Sequence, residues 1–175
     1  MYGFRRARPA PAARNLAKTS IQIVLFWGTF LFVLPALVVA LERSLGWPQF
    51  PSGVTRIAAV VLFAAASLLG LSSAIAMATT GQGTPLPYDA PRALVTGGPY
   101  AWIRNPMAAA GMAQGAAVAL WYGSVAVLAY VVAGGVFWHA VVRPVEEVDL
   151  VQAFGEQYIR YRTRVPLWWP RRPRE

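Results

Sequence analysis

Four apolar stretches constrain the fold of this chain more than any other feature. They cover about residues 21–41, 54–78, 107–121 and 124–142. The first two are long enough to cross roughly 30 Å of hydrocarbon as helices. Hydrophobic residues make up 57% of the chain and charged residues only 13%, whereas about a quarter of a soluble domain is charged. The sequence therefore predicts an all-α integral membrane protein.

The third and fourth stretches are separated only by Tyr122 and Gly123, which predicts a tight helical hairpin. The third stretch is short for a full span, so we expect that helix to be partial or tilted. Basic residues precede the first stretch, as in a signal peptide, but its apolar core exceeds the roughly 7–15 residues of such a signal. We predict an uncleaved helix there, kinked near Pro35. Two long spans and a hairpin give four membrane-inserted helices.

Basic residues are distributed unequally between the two ends of these helices. The N-terminal tail carries five, the central loop two and the C-terminal tail seven, whereas the opposite side carries Arg43 and Arg56. An excess of Lys and Arg marks the cytoplasmic side of a membrane protein. We therefore predict that both termini and the central loop are cytoplasmic. The net charge of +9 then favours membrane lipids over nucleic acid as partners.

The chain has no cysteine and a single histidine, His139, so no metal site is predicted. A packed side chain is the simpler interpretation of His139 and of Gln114. Either could instead line a substrate cavity, and the sequence leaves this open, as it does the oligomeric state. We expect a single membrane domain over residues 1–175. It divides into a basic tail at 1–20, two helices at 21–80, a cofactor-binding and catalytic region at 81–170 and a basic tail at 171–175.

One polar segment, residues 81–107, joins the second and third apolar stretches. Its five prolines and four glycines predict an irregular loop, and its apolar residues argue against disorder. Arg104 and Asn105 stand just before the third helix, with Pro106 in its first turn. Asn105 could cap the helix or bind a ligand, and Arg104 could reach lipid phosphate or a ligand.

The second polar segment, residues 143–170, follows the last apolar stretch. Pro144 is expected to break or restart the helix. An amphipathic helix should follow, with Asp149 and Glu156 largely away from its apolar face, which consists of Leu150, Val151, Phe154, Tyr158 and Tyr161. Paired acids at a membrane boundary need a cation or hydrogen-bond donors. Arg104, Arg143 or a ligand could supply them for Glu146 and Glu147.

Together these segments resemble a known family. The matching pieces are residues 94–100 (LVTGGPY), residues 104–107 (RNPM), the pair Glu146–Glu147, and after it Leu150, Phe154, Gly155, Tyr158, Tyr161 and residues 164–166. Their order and spacing resemble those of isoprenylcysteine carboxyl methyltransferases and phospholipid methyltransferases, which are membrane enzymes that use S-adenosylmethionine. The resemblance covers roughly residues 81–170.

The resemblance implies a cofactor site built from both polar segments. The residues it would assign to the cofactor are Arg92, Ala93, Leu94, Val95, Tyr100, Asn105, Pro106, Met107, Ala108 and Glu147. The candidate catalytic residues are Arg104, Arg143, Glu146 and Glu147. Many members carry His where this chain has Asn105, and Tyr where it has Ala108. Because Asn does not titrate near neutral pH, we do not expect a proton shuttle at that position.

The resemblance thus implies an S-adenosylmethionine-dependent methyltransferase of the bacterial type, in the inner membrane, acting on an amphiphilic or lipid-like acceptor at the cytoplasmic face. The acceptor atom could belong to a carboxylate, a thiol, an amine or a lipid headgroup. Two alternatives remain: a membrane reductase of related architecture that uses NADPH, and a non-catalytic lipid-binding membrane protein. Binding of the cofactor distinguishes the three.

Overall fold

The structure, a computed structural model, describes residues 5–50, 53–85 and 89–169. Within these ranges the fold is all-helical, without strands, and its helices are α1 (Ala12–Ser44), α2 (Gly53–Thr79), α3 (Pro106–Tyr122) and α4 (Val125–Arg164). Three of them, α1, α2 and α4, are long and apolar enough to cross a membrane. Large apolar side chains such as Val24 and Leu68 are 70% and 71% exposed on these helices. The chain is an integral membrane protein. With 17 residues, α3 is not among the three candidate spans, so a fourth crossing remains a prediction.

Both α1 and α4 contain a π-helical turn just before a proline. The turns cover Gly28–Val33, ahead of Pro35, and Trp138–Val142, ahead of Pro144. Proline lacks an N–H and crowds the preceding turn, and a wider π turn relieves both conflicts. As a result α4 continues through Pro144 rather than ending there. Its sharp bend lies instead at Gly155, which has φ 51° and ψ −131°.

Small residues let α3 pack closely against its neighbours. It packs most extensively along α2 and pairs with α4 through a turn at Gly123, whose φ is 63°. A Cβ atom at Gly111 would lie 3.0 Å from the Trp27 ring, and one at Gly115 would lie 2.7 Å from Cγ2 of Val131. The two glycines therefore serve close helix packing.

Hydrogen bonds and an ion pair join the N-terminal part of the chain to the central loop. The Ala7 N–H donates to the Ala90 carbonyl and the Ala90 N–H donates to the Arg5 carbonyl, both at 2.9 Å. Lys18 adds an ion pair with Asp89 at 2.9 Å. Because α1 already begins at Ala12, much of the expected basic tail over residues 1–20 is helical. These contacts bring the N-terminal segment onto the polar region that holds the candidate site.

Candidate functional site

Two arginines from distant parts of the chain converge on one carboxylate. Arg104 precedes α3, and Arg143 follows the π turn of α4. Arg104 Nη1 and Arg143 Nη2 both donate to Oε1 of Glu147, the second at 3.0 Å. Arg143 also pairs with Glu146 at 3.2 Å. The four candidate catalytic residues thus form one cluster at the polar end of the α3–α4 hairpin.

The bend at Gly155 returns the end of α4 to this cluster. Because the chain changes direction there, the hydroxyl of Tyr158 accepts hydrogen bonds from Arg143 at 2.9 Å and from Arg104 at 3.3 Å. Arg162 donates to Oε2 of Glu147 at 3.3 Å. Sequence reasoning placed Tyr158 on the apolar face of a surface helix and assigned no role to Arg162. Gly155, directly after Phe154, was the one feature of the local sequence that indicated this change of direction.

The segment after α4 holds Arg104 in place. The Val165 carbonyl accepts from Arg104 Nε, and the Pro166 carbonyl accepts from the Arg104 backbone N–H, both at 2.9 Å. Tyr161 donates its hydroxyl proton to the Tyr100 carbonyl at 2.7 Å. A small core of Tyr158, Tyr161 and Val165, against which Leu94 packs, supports these contacts. Tyr100 and Leu94, two of the expected cofactor residues, therefore lie beside the cluster.

The two glutamates differ in their electrostatic surroundings. Burial alone raises the pKa of Glu147, but the guanidinium groups of Arg143 and Arg104 outweigh it, so the net pKa is lowered. Burial also raises the pKa of Glu146, and there the single partner, Arg143, does not offset it. Glu147 is therefore held as an anion by three arginines, whereas Glu146 takes up a proton more readily than Glu147 does.

Other expected cofactor residues lie elsewhere or contribute only packing. The backbone N–H groups of Arg92 and Ala93 donate to the Gly81 carbonyl at 2.8 and 3.2 Å. Arg92 lines a separate cavity near the N-terminal segment. Val95 is buried against Gly81. Pro106 is buried, and Met107 and Ala108 are half-buried in the first turn of α3. The structure thus divides the expected cofactor residues between two places.

Two buried donor groups in the cluster region have no hydrogen-bond partner among the described residues. They are Asn105 Nδ2 and Arg143 Nε. Asn105 is 9% exposed and stands at the N-cap position of α3, but its side chain makes no capping hydrogen bond. Leaving buried donors unpaired is costly. Because S-adenosylmethionine carries a carboxylate and adenine acceptor atoms, these donors suit it, and the carboxylate of Glu146 suits its cationic groups.

An apolar groove begins one residue before Arg104. Its volume is about 570 Å³, and it lies between α2, α3 and the C-terminal segment, with walls that include Leu69, Trp102, Ile103, Ala109, Trp168 and Trp169. Trp168 Nε1 donates to Nδ1 of His139 at 3.1 Å, so His139 positions a wall residue but does not line this groove. Gln114 donates to Ser67 at 2.9 Å and likewise lies outside the lining. The groove has the composition expected for an acyl or prenyl chain.

Asp149 departs from the sequence-based expectation. It was expected to lie away from the buried face of the helix, yet it is only 5% exposed. Arg6 pairs with its Oδ2 at 2.5 Å, donates to the Pro91 carbonyl at 3.0 Å, and lies 5.3 Å from the centre of the Phe154 ring. Arg6 therefore joins the N-terminal segment to the central loop and to α4. Its contact on α4, Asp149, lies two residues after Glu147. No local pattern in the sequence predicts this contact.

Comparison with protein families agrees with this geometry. A model of the phospholipid methyltransferase family matches residues 54–157, more than half of the chain. The chain belongs to this family. The matched region contains Arg104, Arg143, Glu146 and Glu147, whereas Arg6 and Tyr158 lie outside it. No curated protein and no solved structure matches the chain. Family membership indicates a membrane methyltransferase with a lipid-like substrate.

Proposed function

We propose that this protein transfers a methyl group from S-adenosylmethionine to an amphiphilic acceptor at the cytoplasmic face of the membrane. The observation that carries the proposal is the convergence of Arg104, Arg143, Glu146 and Glu147 beside an apolar groove. Polar groups for a charged cofactor and an apolar surface for a lipid-like acceptor are then next to each other. The family match favours methyl transfer over the NADPH-dependent reductase.

The cofactor, when bound, supplies an electrophilic methyl group on a sulfonium, which the acceptor atom takes while the C–S electron pair returns to sulfur. The chain itself must bind the cofactor and the acceptor, orient them toward each other and exclude water. We assign Asn105 Nδ2 and Arg143 Nε as donors to the cofactor, since both are buried and unpaired within the described residues. Tyr100 and Leu94 support the same region by packing.

The two glutamates receive separate roles in this proposal. Glu147 is engaged by Arg104, Arg143 and Arg162, so it positions these side chains and stays anionic. Glu146 accepts from Arg143 through Oε2. A proton released by an amine acceptor would therefore go to Oε1 of Glu146, which makes it the general base. A carboxylate or thiolate acceptor would need no such base.

The test uses the whole 175-residue chain in nanodiscs. Calorimetry measures S-adenosylmethionine binding, and transfer of a radiolabelled methyl group into the extractable lipids measures turnover. With an amine acceptor, Glu146→Gln should reduce turnover by about a hundredfold, the lower range for losing a general base. Glu156→Gln, an exposed acid beyond the bend, is the matched control and should leave turnover unchanged. Absence of both cofactor binding and label transfer would overturn the proposal.

We also propose that both termini and the central loop face the cytoplasm. This arrangement needs an even number of crossings, so α3 must cross the membrane as a fourth span beside the three candidate spans. The unequal distribution of basic residues supports this arrangement. The chain has no cysteine, so single cysteines can be introduced cleanly. Arg8→Cys should react with a membrane-impermeant thiol reagent only when the cytoplasmic face is accessible, and Trp47→Cys only from the opposite face. Labelling of both from one side would contradict the topology.

A further inference from the structure

One side chain outside the family match contacts both polar segments that build the candidate site. Arg6 lies in the N-terminal segment, residues 5–11, ahead of the match at 54–157. Its Nη1 donates to the Pro91 carbonyl of the central loop at 3.0 Å, and its Nη2 donates to Oδ2 of Asp149 on α4 at 2.5 Å. The two terminal nitrogens of one guanidinium group therefore bridge a loop and a helix that are distant in the sequence.

Burial and packing distinguish this bridge from an ordinary surface ion pair. Asp149 is 5% exposed, and the guanidinium carbon of Arg6 lies 5.3 Å from the centre of the Phe154 ring. The residues on either side of Arg6 form backbone hydrogen bonds with Ala90, both at 2.9 Å, which hold the arginine in place. Exposed ion pairs contribute little because solvent screens them, whereas a charge-assisted hydrogen bond to a buried carboxylate is strong. Arg6 therefore fixes the central loop against α4.

Both ends of the bridge adjoin the cluster of arginines and glutamates. On α4, Asp149 follows Glu147 by two residues. In the central loop, Pro91 precedes Leu94 by three residues, and Leu94 packs against the small core that supports the cluster. The hydrogen bonds within the cluster do not involve Arg6. The cluster can therefore form without Arg6, while the separation between the loop and α4 depends on it.

We propose that Arg6 is a positioning residue for the methyl donor: it holds the central loop and α4 at the separation in which both can contact S-adenosylmethionine. The inference rests on the proposed function, in which Asn105 and Arg143 donate to the cofactor from these two segments. The guanidinium of Arg6 is already engaged by Pro91 and Asp149, so it acts through them and not by contact with the reacting atoms. Without the bridge, the loop must be ordered against α4 when the cofactor binds, which weakens affinity.

The test compares variants of the whole 175-residue chain in nanodiscs. Calorimetry gives the Kd for S-adenosylmethionine, and methyl transfer into the lipids at varied cofactor concentration gives KM and kcat. Arg6→Gln should raise Kd and KM by about tenfold, the equivalent of one charge-assisted hydrogen bond, and should change kcat by less than about threefold, because the cluster keeps its own contacts. A merely structural role would lower the amount of folded chain, and with it kcat and the binding stoichiometry, while KM stayed the same.

Two matched variants separate the bridge from loss of charge and from other contacts of the N-terminal part of the chain. Arg8→Gln removes the same charge from an exposed position in the same segment and should leave Kd, KM and kcat unchanged. Lys18→Gln breaks the ion pair with Asp89, which reaches the central loop but not α4. Because the bridge to α4 remains, Lys18→Gln should bind S-adenosylmethionine as the unaltered chain does.

A double-mutant cycle tests whether Arg6 acts through Asp149. Asp149→Asn removes the charge at the α4 end of the bridge and should also raise Kd. The double variant, with Arg6→Gln, should bind no more weakly than the weaker single variant, because both substitutions break the same contact. Arg6→Lys keeps the charge but loses the guanidinium fork that reaches both partners. It should show a smaller loss than Arg6→Gln and replaces that variant in the comparison if Arg6→Gln does not fold.

The outcomes that contradict the inference differ from those that contradict the proposed function. An unchanged Kd in Arg6→Gln or Arg6→Lys, with normal binding by the unaltered chain, would overturn the inference alone. So would additive losses in the double variant, or a loss in Arg8→Gln or Lys18→Gln equal to that in Arg6→Gln. Absence of S-adenosylmethionine binding by the unaltered chain would instead overturn the proposed function, and the positioning role would be rejected with it.

Discussion

Replacing Glu147 by Gln should destabilise the protein by about 3 kcal/mol. The side chain is 20% exposed, and two of its partners, Arg104 and Arg143, are 12% and 7% exposed. A hydrogen bond to a charged group is worth about 1.5–3 kcal/mol, and removal of a partner leaves buried charge uncompensated. Gln keeps an oxygen acceptor, which limits the loss. The third partner, Arg162, is 44% exposed and should contribute less than about 1 kcal/mol.

The same substitution should change the dependence of stability on pH. The folded-state pKa of Glu147 is lowered from its ordinary value of 4.5, so below that value the unfolded chain binds more protons. The stabilisation is complete above pH 4.5 and is lost as the pH falls through the folded-state pKa. In Glu147→Gln this part of the acid sensitivity should disappear.

Denaturation by sodium dodecyl sulfate in mixed micelles, followed by circular dichroism at pH 7 and pH 4, measures both effects. Glu156→Gln is the control because Glu156 is exposed and lies beyond the bend. A change below about 0.5 kcal/mol for Glu147→Gln, the range of ordinary surface substitutions, would refute the reasoning. So would an equal loss in Glu156→Gln, since the contacts of Glu147 would then have no special weight.

Three further substitutions test other parts of the structure by thermal denaturation. Arg6→Gln should cost about 2 kcal/mol because it removes the charge-assisted hydrogen bond from Arg6 to the buried Asp149, and an unchanged melting temperature would contradict this. Gly155→Ala meets no atom within 4 Å of the new Cβ, so its cost of about 1–3 kcal/mol should come from the positive φ alone; a neutral result would mean that the bend relaxes. Glu42→Gln weakens the bond that Ser124 donates to Glu42 at 2.5 Å and should cost about 1–2 kcal/mol. Retention of the full melting temperature would show that this buried carboxylate is dispensable.

The helices could be read from the sequence because hydropathy and length are local properties. The second and third apolar stretches were expected at residues 54–78 and 107–121, and the helices cover Gly53–Thr79 and Pro106–Tyr122. The family, too, could be recognised from short motifs. The continuation of α4 through Pro144 could not be predicted from the sequence. It depends on the π turn at Trp138–Val142, which has no local sequence signal.

Tertiary structure alone decided how the polar residues are paired. Arg104 and Glu147 are 43 positions apart, and Arg6 and Asp149 are 143 apart, whereas sequence patterns describe neighbours within about four residues on a helix. The sequence identified two adjacent glutamates without distinguishing them. The fold engages Glu147 with three arginines and leaves Glu146 with one, because the bend at Gly155 turns Arg162 toward one carboxylate only. The apolar stretches therefore determine the helical scaffold, and the return of the chain onto that scaffold gives each charged residue its partner.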